Sequence, residues 1–133
     1  MPVGREYQRK KNNPYLLPHA LYMRMIYLIR DYNRLKAEVE SILHNSPPPP
    51  NGMPSGQNKI KLPTEEKAIK LALTEEEIEA IENALAEIPE FFRLPVMNNI
   101  MYGFRYPIGA DERTFRRYKQ IFVFYVAQNL KKI

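Results

Sequence analysis

The sequence predicts an all-α fold. Apolar residues recur by threes and fours through each long segment, no run alternates as a strand would, and proline or glycine punctuates the segment boundaries. The first helix runs from about Pro18 to His44. Within it Leu21, Met25, Leu28, Tyr32, Leu35, Val39 and Ile42 follow at spacings of 4, 3, 4, 3, 4 and 3, a heptad seam. Such a seam needs a long partner, either the next helix of this chain or a second copy. Leu21, Leu28, Leu35 and Ile42 are therefore the candidate association residues.

Residues 45–63 hold four consecutive prolines, Pro47 to Pro50, with Asn51-Gly52, Pro54, Gly56 and Pro63. Proline lacks the backbone donor and Asn-Gly favours turns, so this stretch reads as a linker. A second long helix is expected from Thr64 to Ile88, with Leu71, Thr74, Ile78, Ile81, Leu85 and Ile88 in register. Thr74 and Glu77 have the spacing of a capping box, which would restart the helix there, but Ala68 to Ala72 favour continuity. The two long helices are expected to pair as an antiparallel hairpin. A third element opens at Pro89-Glu90, carries Phe91, Leu94, Met97, Ile100 and Met101, and is expected to kink at Pro95. Gly103 and Pro107-Ile108-Gly109 then make a turn, and Asp111 caps the last helix. The organisation is thus a basic, flexible N-terminal arm over 1–17, a helical hairpin over 18–88 with its linker at 45–63, and a two-helix, helix-turn-helix-like unit over 89–133.

The last helix is the most informative segment. Asp111 is followed by Arg113, Thr114, Arg116, Arg117, Lys119 and Gln120, while Phe115, Tyr118, Phe122, Tyr125 and Val126 form an apolar stripe. A DNA-reading helix is built this way: the stripe anchors it, its first turns reach base edges, and flanking cations meet phosphates. The plainer alternative is a solvated amphipathic surface helix. Charge distribution favours the first reading. Residues 1–44 carry eight Lys/Arg against four Asp/Glu, residues 91–133 carry eight against two, and residues 74–90 carry seven acidic residues and no basic one. A polyanion would be met by the basic ends, with Arg9, Lys10 and Lys11 reinforcing phosphate contact and the acidic helix turned away.

Other chemistry is not indicated. Cysteine is absent, which removes disulfides, thiolate metal sites and thiol nucleophiles. Glu75, Glu76, Glu77, Glu79 and Glu82 read as a solvated acidic face, and His19 and His44 stand at opposite ends of the first helix, too far apart to share a metal. No glycine-rich phosphate loop follows a strand, and no segment reaches the roughly 20 apolar residues that span a bilayer. The expectation is a soluble cytoplasmic protein, not an enzyme, with neither cofactor nor metal.

Two groups of segments carry a family resemblance. Pro14-Tyr15-Leu16-Leu17-Pro18, Tyr27 to Tyr32 and Arg34-Leu35-Lys36 resemble the N-terminal half of the RinA-type phage transcriptional regulators. Lys67 to Leu71, Ala84 to Glu90, Thr114 to Lys119 and Tyr125 to Leu130 resemble its second half. Ala84-Leu85-Ala86-Glu87-Ile88-Pro89-Glu90-Phe91-Phe92-Arg93 also resembles the opening of sigma factor region four, in which a helix of this kind precedes a helix-turn-helix. The chain departs from that pattern, because only Tyr102 to Arg113 separate Met101 from Thr114, too few for a full scanning helix. Either the helix from Glu90 serves as the first of the pair, or the unit is degenerate and binds a protein. The resemblance implies a phage or prophage regulator whose partners are double-stranded DNA, host RNA polymerase and a second copy of itself. The competing expectation is a helical adaptor or a phage assembly or packaging factor that binds another protein.

Overall fold

The computed structural model describes residues 6–44 and 64–133; the first five residues and the linker expected at 45–63 lie outside the described residues. Those described form five α-helices and no strand: α1 (His19–Arg30), α2 (Tyr32–His44), α3 (Thr64–Leu85), α4 (Glu90–Tyr102) and α5 (Glu112–Asn129). α5 is the axis, packed against α1, α3 and α4. α1 also rests on α4, and α2 lies along α3.

The expected helix over 18–44 is divided at Asp31. There φ is −89° and ψ is 3°, and the backbone amide is shared between the carbonyls of Tyr27 and Leu28. This is a 3₁₀-like step, tightening one turn before α2 resumes. Arg34 holds it from outside, gripping both Asp31 carboxylate oxygens at 2.6 to 3.0 Å. The buried face of α1 is also one residue away from the expected seam. Tyr22, Met25, Ile26 and Ile29 are buried, whereas Leu21 and Leu28 fringe them. A helix held by two neighbours buries a broad arc, and the arc's centre need not lie on the most regular row of leucines. Leu35 is buried and Leu21 and Leu28 pack on the core, so the seam's apolar surface is covered largely within one chain.

Tyr32 Oη donates to Glu82 at 2.6 Å and Lys70 pairs with Glu38 at 2.9 Å, so α2 and α3 run in opposite senses. α3 is continuous through Thr74, which is 6% exposed; a side chain in mid-helix cannot act as an N-cap. The helix ends at Leu85 rather than Ile88, because the amides of Glu87 and Ile88 turn to the carbonyls three residues back. Ala80, Ile81 and Ala84 bury its inner face, and Ile88 is buried just beyond its end. α4 accommodates Pro95 within its length and closes at Gly103, where φ of 73° suits a residue without Cβ. α5 starts at the expected cap, with the Asp111 carboxylate accepting from the Arg113 amide at 3.1 Å. Phe122, Val123, Val126 and Ala127 from α5 meet Ile26, Ile29, Ile81, Val96 and Ile100 at 0% exposure. Each large side chain so buried contributes about 1.5 to 3 kcal/mol.

Candidate nucleic-acid interface

The first two turns of α5 present one side to solvent. Phe115 anchors them, stacked at 4.8 Å on Tyr106 and edge-on to Phe92 at 5.1 Å, and Phe92 in turn stacks on Tyr118 at 4.5 Å. With the apolar stripe pinned to α4, Arg113, Arg116 and Arg117 are exposed on the other side, and Thr114 lies half-buried between them. The capping carboxylate of Asp111 is held below the usual carboxylate range, first by the Arg113 backbone amide and then by its guanidinium. Arg113 pairs with Asp111 at 3.2 Å and Arg116 with Glu112 at 3.0 Å, both in solvent. Such exposed pairs are weak, worth about 0.2 to 1 kcal/mol, and a phosphate can displace them.

Lys119 and Gln120 turn inward instead. The Lys119 ammonium donates to Glu6 at 2.7 Å and to Asn99 Oδ1 at 3.0 Å. Gln120 is 7% exposed and donates its amide to Gln8 Oε1 at 2.9 Å and to the Tyr15 carbonyl at 2.7 Å. Lys119 is thus bonded beneath the N-terminal arm, whereas Gln120, held by the same arm and one helical turn beyond Arg116, borders the groove between arm and helix.

The arm over 1–17, expected to be flexible, makes specific contacts with the body. From Glu6 onward it is strapped down. The Glu6 carboxylate, with its side chain 5% exposed, bridges Arg30 of α1 at 3.1 Å and Lys119 of α5 at 2.7 Å. The Gln8 side chain pairs with both backbone groups of Leu17, donating to the carbonyl at 2.9 Å and accepting from the amide at 2.8 Å. Between these anchors Asn12 takes a φ of 55° and Asn13 Oδ1 accepts from the Tyr15 amide at 2.9 Å, so the chain reverses in a side-chain-stabilised turn. Tyr15 then packs edge-on against Phe124 at 5.2 Å.

The strapped arm and the start of α5 enclose an open groove of about 720 Å³. Arg9, Asn12, Asn13 and Tyr7 line it from the arm, and Arg113, Thr114, Arg116, Arg117 and Gln120 from the helix. Of the three expected arm cations only Arg9 lines it; Lys10 and Lys11 are exposed outside it. The lining holds four guanidiniums and one carboxylate, Asp111. The groove also meets the N-terminal end of α5, where the helix dipole adds to its positive potential. Arg113, Thr114, Arg116, Arg117, Gln120 and Arg9 are thus brought together. Asn12 and Asn13 could have been found from their turn-forming pair before Pro14, whereas no local pattern marks Glu6 or Gln8 as the straps.

The seam residues Leu21, Leu28, Leu35 and Ile42 take no part in this groove. Among the described residues no group of three or more His, Asp or Glu side chains is placed to hold a metal ion, and no helix is long and apolar enough to cross a membrane. Comparison with protein-family models, with characterised proteins and with solved structures gives no match.

Proposed function

We propose that this protein binds double-stranded DNA, without enzymatic activity, and regulates transcription of phage or prophage genes by presenting the N-terminal end of α5 to the duplex. The observation that supports this most is the contrast along α5: Arg113, Arg116 and Arg117 stand exposed at the positive end of a helix whose second half is fixed in the core. A helix buried on most sides beyond its second turn has no free length to lay along the major groove. It meets the groove end-on, with Arg113 and Thr114 nearest the bases and Arg116, Arg117 and Arg9 on phosphates. In this proposal α4 and α5 act as the helix-turn-helix-like pair, although their connection, residues 103–111, is longer than the usual turn of three to four residues. α2 and α3 act as the hairpin that braces them. A dimer would supply the second half-site contact that one helix end needs, and host RNA polymerase is the proposed protein partner. Phage origin and a role in transcription rest on the resemblance to the RinA-type regulators.

Anisotropy titration of a labelled duplex at several salt concentrations tests the proposal. Arg9, Arg116 and Arg117 provide three candidate phosphate contacts, for which log K falls against log salt with a slope near −2.7, at about −0.9 per contact. Absence of salt-dependent binding to any duplex would remove the proposal. The adaptor reading would then lead, since Phe91, Leu94, Phe104 and Ile108 are 55%, 68%, 55% and 100% exposed on α4 and its connection to α5.

A further inference from the structure

Building on DNA binding by the end of α5, we propose that the N-terminal arm and α5 form two walls that grip a single phosphodiester strand of the duplex, with Arg9 on one wall and Arg117 on the other. Both arginines line the groove between these elements, and among the described residues neither forms an ion pair. Arg113 and Arg116, on the same helix wall, are each matched by a neighbouring carboxylate, so Arg9 and Arg117 carry the groove's uncompensated charge. The guanidinium fork fits phosphate oxygens two at a time, and a regular row of phosphates suits an open groove with forks on both sides. Acidic side chains on a protein surface offer no such row.

The arm wall is preset. Gln8 is tied to Leu17 and Gln120, and Glu6 is held between Arg30 and Lys119, so Arg9 follows directly from a fixed strap. A cation on a loose arm would lose conformational freedom on binding, and one on a strapped arm has lost it already. Gln8, Glu6 and Gln120 are in this sense positioning residues, and Arg9 makes the contact.

The test uses the full chain, a fluorescein-labelled duplex of two helical turns, and the variants Arg9→Ala, Arg117→Ala and the double substitution. Each single change is expected to weaken binding roughly three- to tenfold and to reduce the magnitude of the salt slope by about 0.9, and the double change by about twice that. Arg9→Lys should restore the slope but only part of the affinity, because an ammonium keeps the charge and loses the fork. Unchanged thermal melts will show that these exposed substitutions leave the fold intact. If Arg9→Ala binds with the parent's affinity and slope while Arg113→Ala and Arg116→Ala lose binding, the two-walled grip is overturned and helix-end binding stands. If no duplex is bound at any salt concentration and polyglutamate is bound instead, both are overturned.

Discussion

The two halves of α5 share one helix and one amphipathic pattern, yet they do different work. From Glu112 to Tyr118 the helix has the aromatic ledge of α4 on one side and the groove on the other, and its cations are exposed. From Lys119 onward it is enclosed by the arm, α1 and α3, and the side chains of Lys119 and Gln120 are bonded inward. Neighbours, more than composition, decide which cations of a basic helix are presented to solvent. Stability and binding should therefore separate along the helix, and each substitution below tests that boundary.

The largest effect is expected deep in the second half. Phe122 is fully buried at the centre of the bundle, and Phe122→Ala should lower unfolding free energy by about 3 to 5 kcal/mol. Urea titration followed by circular dichroism would measure it. A loss below 1 kcal/mol would mean that the second half is not the scaffold.

At the boundary itself, Glu6→Ala would leave the Lys119 ammonium and the Arg30 guanidinium without their shared carboxylate. We expect a loss of about 2 kcal/mol, smaller than for a fully enclosed pair because Arg30 keeps 28% of its side chain in solvent. The arm should also become open to protease at residues 7–16. Stability lost with the arm still protected would show that the Gln8 anchors suffice alone.

In the first half, Arg113→Ala, Arg116→Ala and Arg117→Ala should each change stability by no more than about 0.5 kcal/mol. A larger cost would place these side chains within the scaffold. Binding should respond instead.

The smallest effects concern pH. Tyr32 and Tyr106 have hydroxyls pushed up to about 12 from 10.0, chiefly by burial, with Glu82 adding to the first and Glu6 to the second. A raised folded value means that their contribution is complete below pH 10.0 and declines as pH rises towards 12. Tyr32→Phe should blunt that alkaline loss, read as the dependence of the urea midpoint on pH. Asp111 has the opposite sign. Its lowered value makes the cap's contribution present above pH 3.8 and lost as pH falls through the folded value, so fraying of the first turn of α5 should appear only in acid.

Much of α5 and the end of α4 were legible in the sequence, because capping at Asp111 and chain reversal at Gly103 are local chemistry. The stripe of Phe115, Phe122 and Val126 was legible for the same reason: one side of the helix is apolar and the other charged. α1 was less legible. Leucines, isoleucines and aromatics surround it, so a regular heptad row drew attention to Leu21 and Leu28 although Tyr22, Ile26 and Ile29 occupy the core. The break at Asp31 was hidden because every neighbouring residue is compatible with helix. Lys119 and Gln120 could not be separated from Arg116 and Arg117 by pattern. Their partners, Glu6 and Gln8, lie more than 100 residues away in sequence, and only packing brings them into reach.

The division of α5 into a binding end and a scaffold end is tested most directly by backbone amide chemical shifts recorded while a duplex is titrated in. Shifts should concentrate at 7–13 and 112–117, with α3 and residues 121–129 unmoved. Changes centred on α3, on the exposed apolar side chains of α4, or spread evenly along α5 would contradict that division.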